Sequence, residues 1–244
     1  MSAPPVDLEM QRRFDSAEKT RIHESSLARP ALAPSPASLR AHFTSDIGRA
    51  AEELQNPHLE PRVTDEERAK AVPASVLLAI VLREDGPKLI VTQRDRAISF
   101  PGHWVFPGGR ADDSDADPIA TALREAEEEI GLDPARVEVL GRLGDYVSHS
   151  GFRVAPTVAL VEPPIELRAQ PGEVAAIDEI PLSRFFDPRS YFLFRFKERP
   201  NRAHFAMETD QTNILLTGVT CSIAIGFYGE LAKTHAGEWP RVEN

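Results

Sequence analysis

Cysteine is all but absent from these 244 residues, with Cys221 standing alone. A single thiol excludes an intramolecular disulfide framework and a cysteine-based zinc site, and it fits a reducing compartment. His149 and His204 have no partner at zinc-ligand spacing, so surface or packing roles are expected of them. Positive charge is also scarce, 28 Lys and Arg against 38 Asp and Glu, for a net charge of −10. Neutralising a phosphate backbone takes clustered basic residues, so sequence-independent binding to nucleic acid is excluded. An anionic ligand would need metal ions or a few local arginines. The one long stretch without formal charge, nineteen residues from Gln211 to Gly229, approaches bilayer length. Its polar Asn213, Thr217, Thr220 and Ser222, its three glycines and the sparse basic flanks predict instead a C-terminal helix packed on the domain, with no membrane partner. Met1 to Arg12 has early acidic residues and no apolar centre, unlike a signal peptide, and the expected location is cytoplasmic.

What is present is the composition of a globular chain, 41% hydrophobic and 27% charged, long enough for one ordinary domain plus an extension. Residues 1–36, with five prolines and little apolar period, read as a flexible arm. Residues 37–71 read as a helix and a connector: Leu39, Phe43, Ile47, Ala50, Ala51 and Leu54 recur at helical spacing, and Pro57 ends the pattern. The main domain is expected over 72–236 and a tail over 237–244. Ala74 to Leu82 is a β-branched run suited to a buried strand, and Lys88 to Arg94 reads as its hairpin partner across Glu84-Asp85-Gly86-Pro87. His103 to Phe106 is short and strand-like, and Pro107-Gly108-Gly109 is expected to break it. Further strands are expected at Val137 to Leu143, at Arg153 to Val161 with Pro156 marking an edge or bulge, and after Gln170 to Val174. Pro181 to Phe186 suggests a short helix, and Tyr191 to Phe196 a hairpin with Ala203 to Met207.

Carboxylates gather in one place. An aspartate-rich loop, Asp112 to Asp117, leads into a helix starting near Asp117-Pro118 that carries four glutamates in five residues and stops at Gly131. At 100° per residue Ile119, Ala120, Leu123, Ala126 and Ile130 share one side, and Glu125, Glu128 and Glu129 the other. A charge run on a helix is ordinarily a solvated surface. Yet like charges three and four residues apart repel by a few tenths of a kcal/mol per pair. A divalent cation would turn that repulsion into ligation, since Mg²⁺ takes carboxylate oxygens together with water and phosphate oxygens. Spacing alone leaves the two readings even.

Arg124-Glu125-Ala126-Glu127-Glu128-Glu129-Ile130-Gly131-Leu132 resembles the Arg-Glu-U-x-Glu-Glu-x-Gly-U core of the Nudix box, where U is a bulky aliphatic. The chain departs from the box in having fourteen residues between Gly109 and Arg124 where thirteen are usual, Asp115 where the loop glutamate belongs, and a small Ala126. The insertion and the Gly108, Gly109, Asp112, Asp115 pattern are similar to one branch of that superfamily, the coenzyme A diphosphatases. Thr92-Gln93-Arg94 followed by Phe106-Pro107-Gly108-Gly109 is similar to the segment through which that branch recognises coenzyme A, although it is one residue short and only Arg96 could supply its second basic position.

The resemblance implies an α+β fold, the Nudix α/β/α sandwich with a mixed sheet and the loop-helix motif. It implies Mg²⁺ or Mn²⁺ held by Glu125, Glu128 and Glu129, and a small-molecule nucleotide substrate contacted by Arg94, Arg96, Gly108 and Gly109. Water attack would then split a diphosphate, in coenzyme A to 3′,5′-ADP and 4′-phosphopantetheine. Arg124 is expected to point away from the metal face and to tie loop to helix by a salt bridge. Glu128 is the first candidate for the base and Glu173 the second, the latter read first as a solvated residue at a strand start. Two alternatives stand beside this: a Nudix hydrolase of NADH or ADP-ribose, and a non-catalytic nucleotide-binding module of the same fold. A homodimer is carried as an option.

Overall fold

The computed structural model describes residues 12, 14–24, 30–49, 54, 63–198, 203–209 and 214–235; the expected tail over 237–244 lies outside them. The first element is a strand, β1 (Glu18–Arg21), inside the segment expected to be a flexible arm. It pairs antiparallel with β10 (Tyr191–Arg195), and Phe14 just before it is fully buried, edge-on to Phe192 and Phe194. Burying such a ring contributes about 1.5–3 kcal/mol toward holding this strand on β10.

The helix expected from Ser38 to Leu54 is broken in the structure. α1 (Pro36–Thr44) starts at a Ser35 cap and ends where the Ser45 hydroxyl bonds the His42 carbonyl at 2.6 Å, and α2 (Asp46–Arg49) follows. Serine side chains that bond nearby backbone compete with helix continuation. The connector holds a further helix, α3 (Asp65–Lys70), fixed by reciprocal bonds between Thr64 and Glu67, a capping box.

β2 (Val72–Arg83) and β3 (Gly86–Arg94) form the expected hairpin. Around them an eight-stranded mixed sheet is completed by β4 (Trp104–Val105), β5 (Gly108–Arg110), β6 (Val137–Arg142), β7 (Tyr146–Val147), β8 (Phe152–Val161) and β9 (Val174–Pro181). β2 and β8 run parallel over the whole register from Val72↔Phe152 to Val81↔Val161; the other pairings in this sheet are antiparallel. Pro156 therefore lies in an interior strand, not at an edge. It is tolerated because it falls between the last β6 partner, Thr157, and the first β7 partner, Val154, where no second ladder needs its missing N–H.

The sheet buries both faces. On one, Leu77, Ala79, Val81, Ile90, Ala159 and Val161 pack against Ala122, Ala126 and Ile130 of α4 (Pro118–Ile130). The small alanines let that helix lie close. On the other, Leu78, Ile80, Leu89, Val91, Val158 and Leu160 meet a larger aromatic core from α1, α5 (Leu182–Phe185) and α6 (Gly218–His235). The result is the α/β/α sandwich with a mixed sheet. A second sheet, β1-β10-β11-β12, adds the expected hairpin of β10 with β11 (Ala203–Glu208) and a strand, β12 (Leu215–Thr217), within the charge-free stretch. The C-terminal helix thus begins later than the absence of charge suggests. At Gly226 an added Cβ would come within 3.0 Å of Leu54, so the glycine permits close packing. Among the described residues no helix is long and apolar enough to cross a membrane. His204 packs its ring on Phe194 and Phe196, and His149 lies 3.8 Å from Glu67, so neither belongs to the acidic region.

Candidate active site

α4 is placed by local chemistry at both ends. Asp117 caps it by accepting the Ala120 N–H at 2.8 Å, Pro118 opens its first turn, and Gly131 leaves it at φ 66°. A side-chain cap contributes about 1 kcal/mol, and the left-handed exit is one that glycine adopts without a Cβ penalty.

The structure corrects the helical wheel. Glu129 is not on an open charged face but is 5% exposed, in line with Ala122 and Ala126, and its Oε2 accepts the Gly108 N–H at 3.1 Å. Glu125 lies against Gly109, where any Cβ would come within 2.4 Å of its carboxyl carbon. Gly108 itself, at φ 154°, backs onto β2, where a Cβ would meet the Ser75 carbonyl at 2.2 Å. The glycine pair therefore does not simply break a strand. As β5 it pairs with Ala74–Val76 and brings bare backbone against two glutamates, an approach no other residue type allows.

Burial sets the electrostatics. Loss of water pushes the Glu129 carboxyl up to about 7, reinforced by the charges of Glu125 and Glu173 and opposed by the Gly108 N–H and by Arg94. Glu125 is raised for the same first reason, with Arg124 opposing and Glu128 and Glu173 adding to the rise. Glu173 is exposed one residue before β9, as read from sequence, yet its charge reaches both buried glutamates. Its carbonyl also accepts the Asp95 N–H at 2.8 Å, which brings the loop after β3 to the same end of the sheet.

Arg124 ties the aspartate loop to the helix. Its Nε and one terminal nitrogen grip both Asp115 oxygens at 2.9 and 3.0 Å, and it also donates to the Arg110 carbonyl. Against expectation it does not point away from the acidic face, because its other terminal nitrogen bonds Glu125 at 3.0 Å and Glu128 at 2.8 Å. The paired hydrogen bonds hold the Asp115 carboxyl well below the usual range. Asp112 turns inside the loop, bonding Ser114, and so shapes the loop without joining the acidic face. Arg94 donates to the Ser99 carbonyl at 2.8 Å and has Glu129 within its field; Arg96 is exposed in the loop beyond.

Glu125 and Glu129 thus meet the glycine pair, the charge of Glu173 reaches both from a second segment, and Glu128 lies at the rim. Among the described residues no group of three or more His, Cys, Asp or Glu is placed so that it could hold a metal ion without side-chain movement. The donor set nevertheless suits a hard divalent cation, being all oxygen, partly buried and mutually repulsive without one.

Comparison with known proteins identifies the family. Residues 72–207 match the NUDIX domain family. The chain is 38% identical over 172 residues to an uncharacterized Nudix hydrolase, NudL, of Photorhabdus laumondii, covering 70% of this chain and 89% of that protein. It is 45% identical over 112 residues to NudL of Escherichia coli K12, covering 46% of this chain and 58% of the relative. Among solved structures, a C. elegans Ap4A hydrolase matches at 19% identity and a TM-score of 0.40, over 45% of this chain and 80% of that one. The NUDIX domain of Shewanella oneidensis NrtR with ADP ribose matches at 19% identity and 0.38, over 50% and 85%. The family match over more than half of the chain and the relative covered nearly end to end lead to one conclusion: the chain belongs to the NUDIX domain family and is a Nudix hydrolase.

Proposed function

We propose that this protein hydrolyses the diphosphate linkage of coenzyme A or its thioesters, releasing 3′,5′-ADP and the 4′-phosphopantetheine moiety, with Mg²⁺ or Mn²⁺ bound. The observation that carries the hydrolytic site is the seating of Glu125 and Glu129 on Gly109 and Gly108, with the charge of Glu173 acting on both. Glu125, Glu128 and Glu129 would hold the cation, which when bound offsets diphosphate charge and lowers the pKa of a water. Glu128, now paired with Arg124, can exchange that partner at no burial penalty because its side chain is 57% exposed. Gly108 and Gly109 set backbone beside the carboxylates, the places of their missing side chains being taken by Ser75 and Glu125, and Arg94 supplies a positive charge near Glu129 for the diphosphate. Arg124 keeps the loop and helix in register through Asp115, so that positioning, not new covalent chemistry, does most of the catalysis.

The base is assigned to Glu173 ahead of Glu128, a reversal of the sequence-based preference. Glu128 is taken up by ligation once it leaves Arg124, whereas Glu173 stands outside the helix with its charge felt by Glu125 and Glu129. Coenzyme A is favoured over other diphosphates by the Thr92-Gln93-Arg94 and Phe106-Pro107-Gly108-Gly109 segments and by the Asp112, Asp115 loop pattern, all close to this site. The compartment consistent with that substrate is the cytoplasm. The test is a Mn²⁺-supplemented hydrolysis screen with product identification. Coenzyme A should release 3′,5′-ADP faster than NADH or ADP-ribose releases AMP, and the opposite ranking would refute the substrate while leaving a Nudix hydrolase. Nucleotide binding with no turnover of any diphosphate would refute catalysis altogether.

A further inference from the structure

A cleft of about 620 Å³ opens on the flank of the sandwich, away from the acidic site. It is lined by three arginines, Arg49 at the end of α2, Arg142 at the end of β6 and Arg153 in β8, and by one acidic residue, Asp145. Phe43 and Ile119 supply apolar wall. Asp145 is shared, bonding Arg142 at 2.5 Å and lying 3.8 Å from Arg153, so among the described lining residues three positive charges have one counter-charge. Arg153 makes one further bond, at 3.3 Å to the Arg68 carbonyl, which neutralises nothing. The Nε of Arg142 is buried without a hydrogen-bond partner. A charge of +2 summed over the described lining residues of a concave site stands out on a chain of net charge −10, and concave walls focus such a field.

We propose that this cleft is a second ligand site, for an organic phosphomonoester such as a nucleoside monophosphate. A phosphate dianion matches the two uncompensated charges, and guanidinium groups meet its oxygens in paired hydrogen bonds. The volume lies in the range of small-molecule sites, and the Phe43 and Ile119 wall accommodates the organic body. The site is separate from the acidic cluster: Ile119 precedes Glu125 by six residues, nearly two turns of α4. It stands whatever diphosphate the enzyme cleaves.

Titration calorimetry with inorganic phosphate and with 5′-AMP tests it, in EDTA so that the carboxylates carry no divalent cation. One saturable site is expected on the wild-type chain, tighter for 5′-AMP than for phosphate and weakened by salt. Arg142→Gln with Arg153→Gln should lower the affinity at least tenfold, and Glu129→Gln should leave it unchanged. Arg49→Glu, at an exposed position, reverses one charge without touching a buried contact, so it decides the matter if the double variant fails to fold by circular dichroism. Absence of saturable binding to the wild-type chain would overturn the proposal, as would affinity unchanged in folded arginine variants or lost in Glu129→Gln. Equal affinity for phosphate and 5′-AMP would overturn the organic body.

Discussion

Glu129 and Glu127 are two residues apart on one helix and share a side chain, yet they live in different solvents. Glu127 is exposed and Glu129 is 5% exposed, bonded to a backbone N–H and shifted to about 7. What separates them is the partner across the gap. Glu129 and Glu125 face β5, where Gly109 has no side chain to displace Glu125 and Gly108 offers Glu129 its N–H, whereas Glu127 is exposed. Density of carboxylates therefore says little about a site, and the piece of chain opposite decides which of them become ligands.

The sharpest way to break this contrast is Glu129→Gln. Activity should fall on the order of 10³-fold, the scale for removing one charge-stabilising group, with the fold intact by circular dichroism. Retained turnover would end the ligand assignment. The same variant reads the burial directly. In the metal-free chain a carboxyl raised from 4.5 to about 7 stabilises the fold fully below pH 4.5, and this contribution is lost as the pH rises through 7. Roughly 3 kcal/mol rides on such a shift. Thermal unfolding in EDTA should therefore show wild-type stability declining from pH 5 to pH 8 and a flatter profile for Glu129→Gln, while Mg²⁺ at pH 8 should raise the wild-type Tm alone.

Gly109→Ala attacks the opposite side of the same contact. Its Cβ would fall 2.4 Å from the Glu125 carboxyl, which must swing away. A misplacement of that size is expected to lower kcat/KM about 10²-fold and to raise the Mg²⁺ concentration needed for half-maximal rate. An unchanged metal titration would show that Glu125 need not rest on the glycine.

Asp115→Asn tests the brace and not the ligands. With Asp115 neutral, Arg124 keeps Glu125 and Glu128 but loses its paired anchor, and a rate loss of roughly tenfold is expected. Because Asp115 is held below its ordinary pKa of 3.8, its contribution to stability is present at neutral pH and lost as the pH falls below that value. The Tm gap between wild type and variant should be wide at pH 7 and should close in strong acid.

How much of this was legible depends on how local each signal is. Asp117-Pro118 and Gly131 bound α4 within a few residues, and the structure places the helix between them. The Thr64 and Glu67 capping box was equally local, although the connector reading passed over it. β1 was hidden because its partner, β10, lies more than 160 residues away and its buried anchors, Phe14 and Ile22, show no strand period. The burial of Glu129 could not be read from a wheel that knows only one helix, since it depends on β5 arriving opposite. Arg49, Arg142 and Arg153 come from three separate segments, and no spacing rule joins them.

The smallest expected effect is the most discriminating about the opening contrast. Glu127→Gln removes a charge from the middle of the glutamate run, the feature most visible in the sequence, but from a position that touches neither β5 nor Arg124 by any contact that orders the site. Exposed substitutions away from caps and buried networks stay within about 0.5 kcal/mol, so the Tm and kcat/KM of this variant should match wild type within about twofold. Side-by-side metal titrations of Glu127→Gln and Glu129→Gln check it. A loss in Glu127→Gln approaching that of Glu129→Gln would mean that summed negative charge along the helix attracts the cation, and the burial of two particular glutamates against two glycines would no longer explain the site.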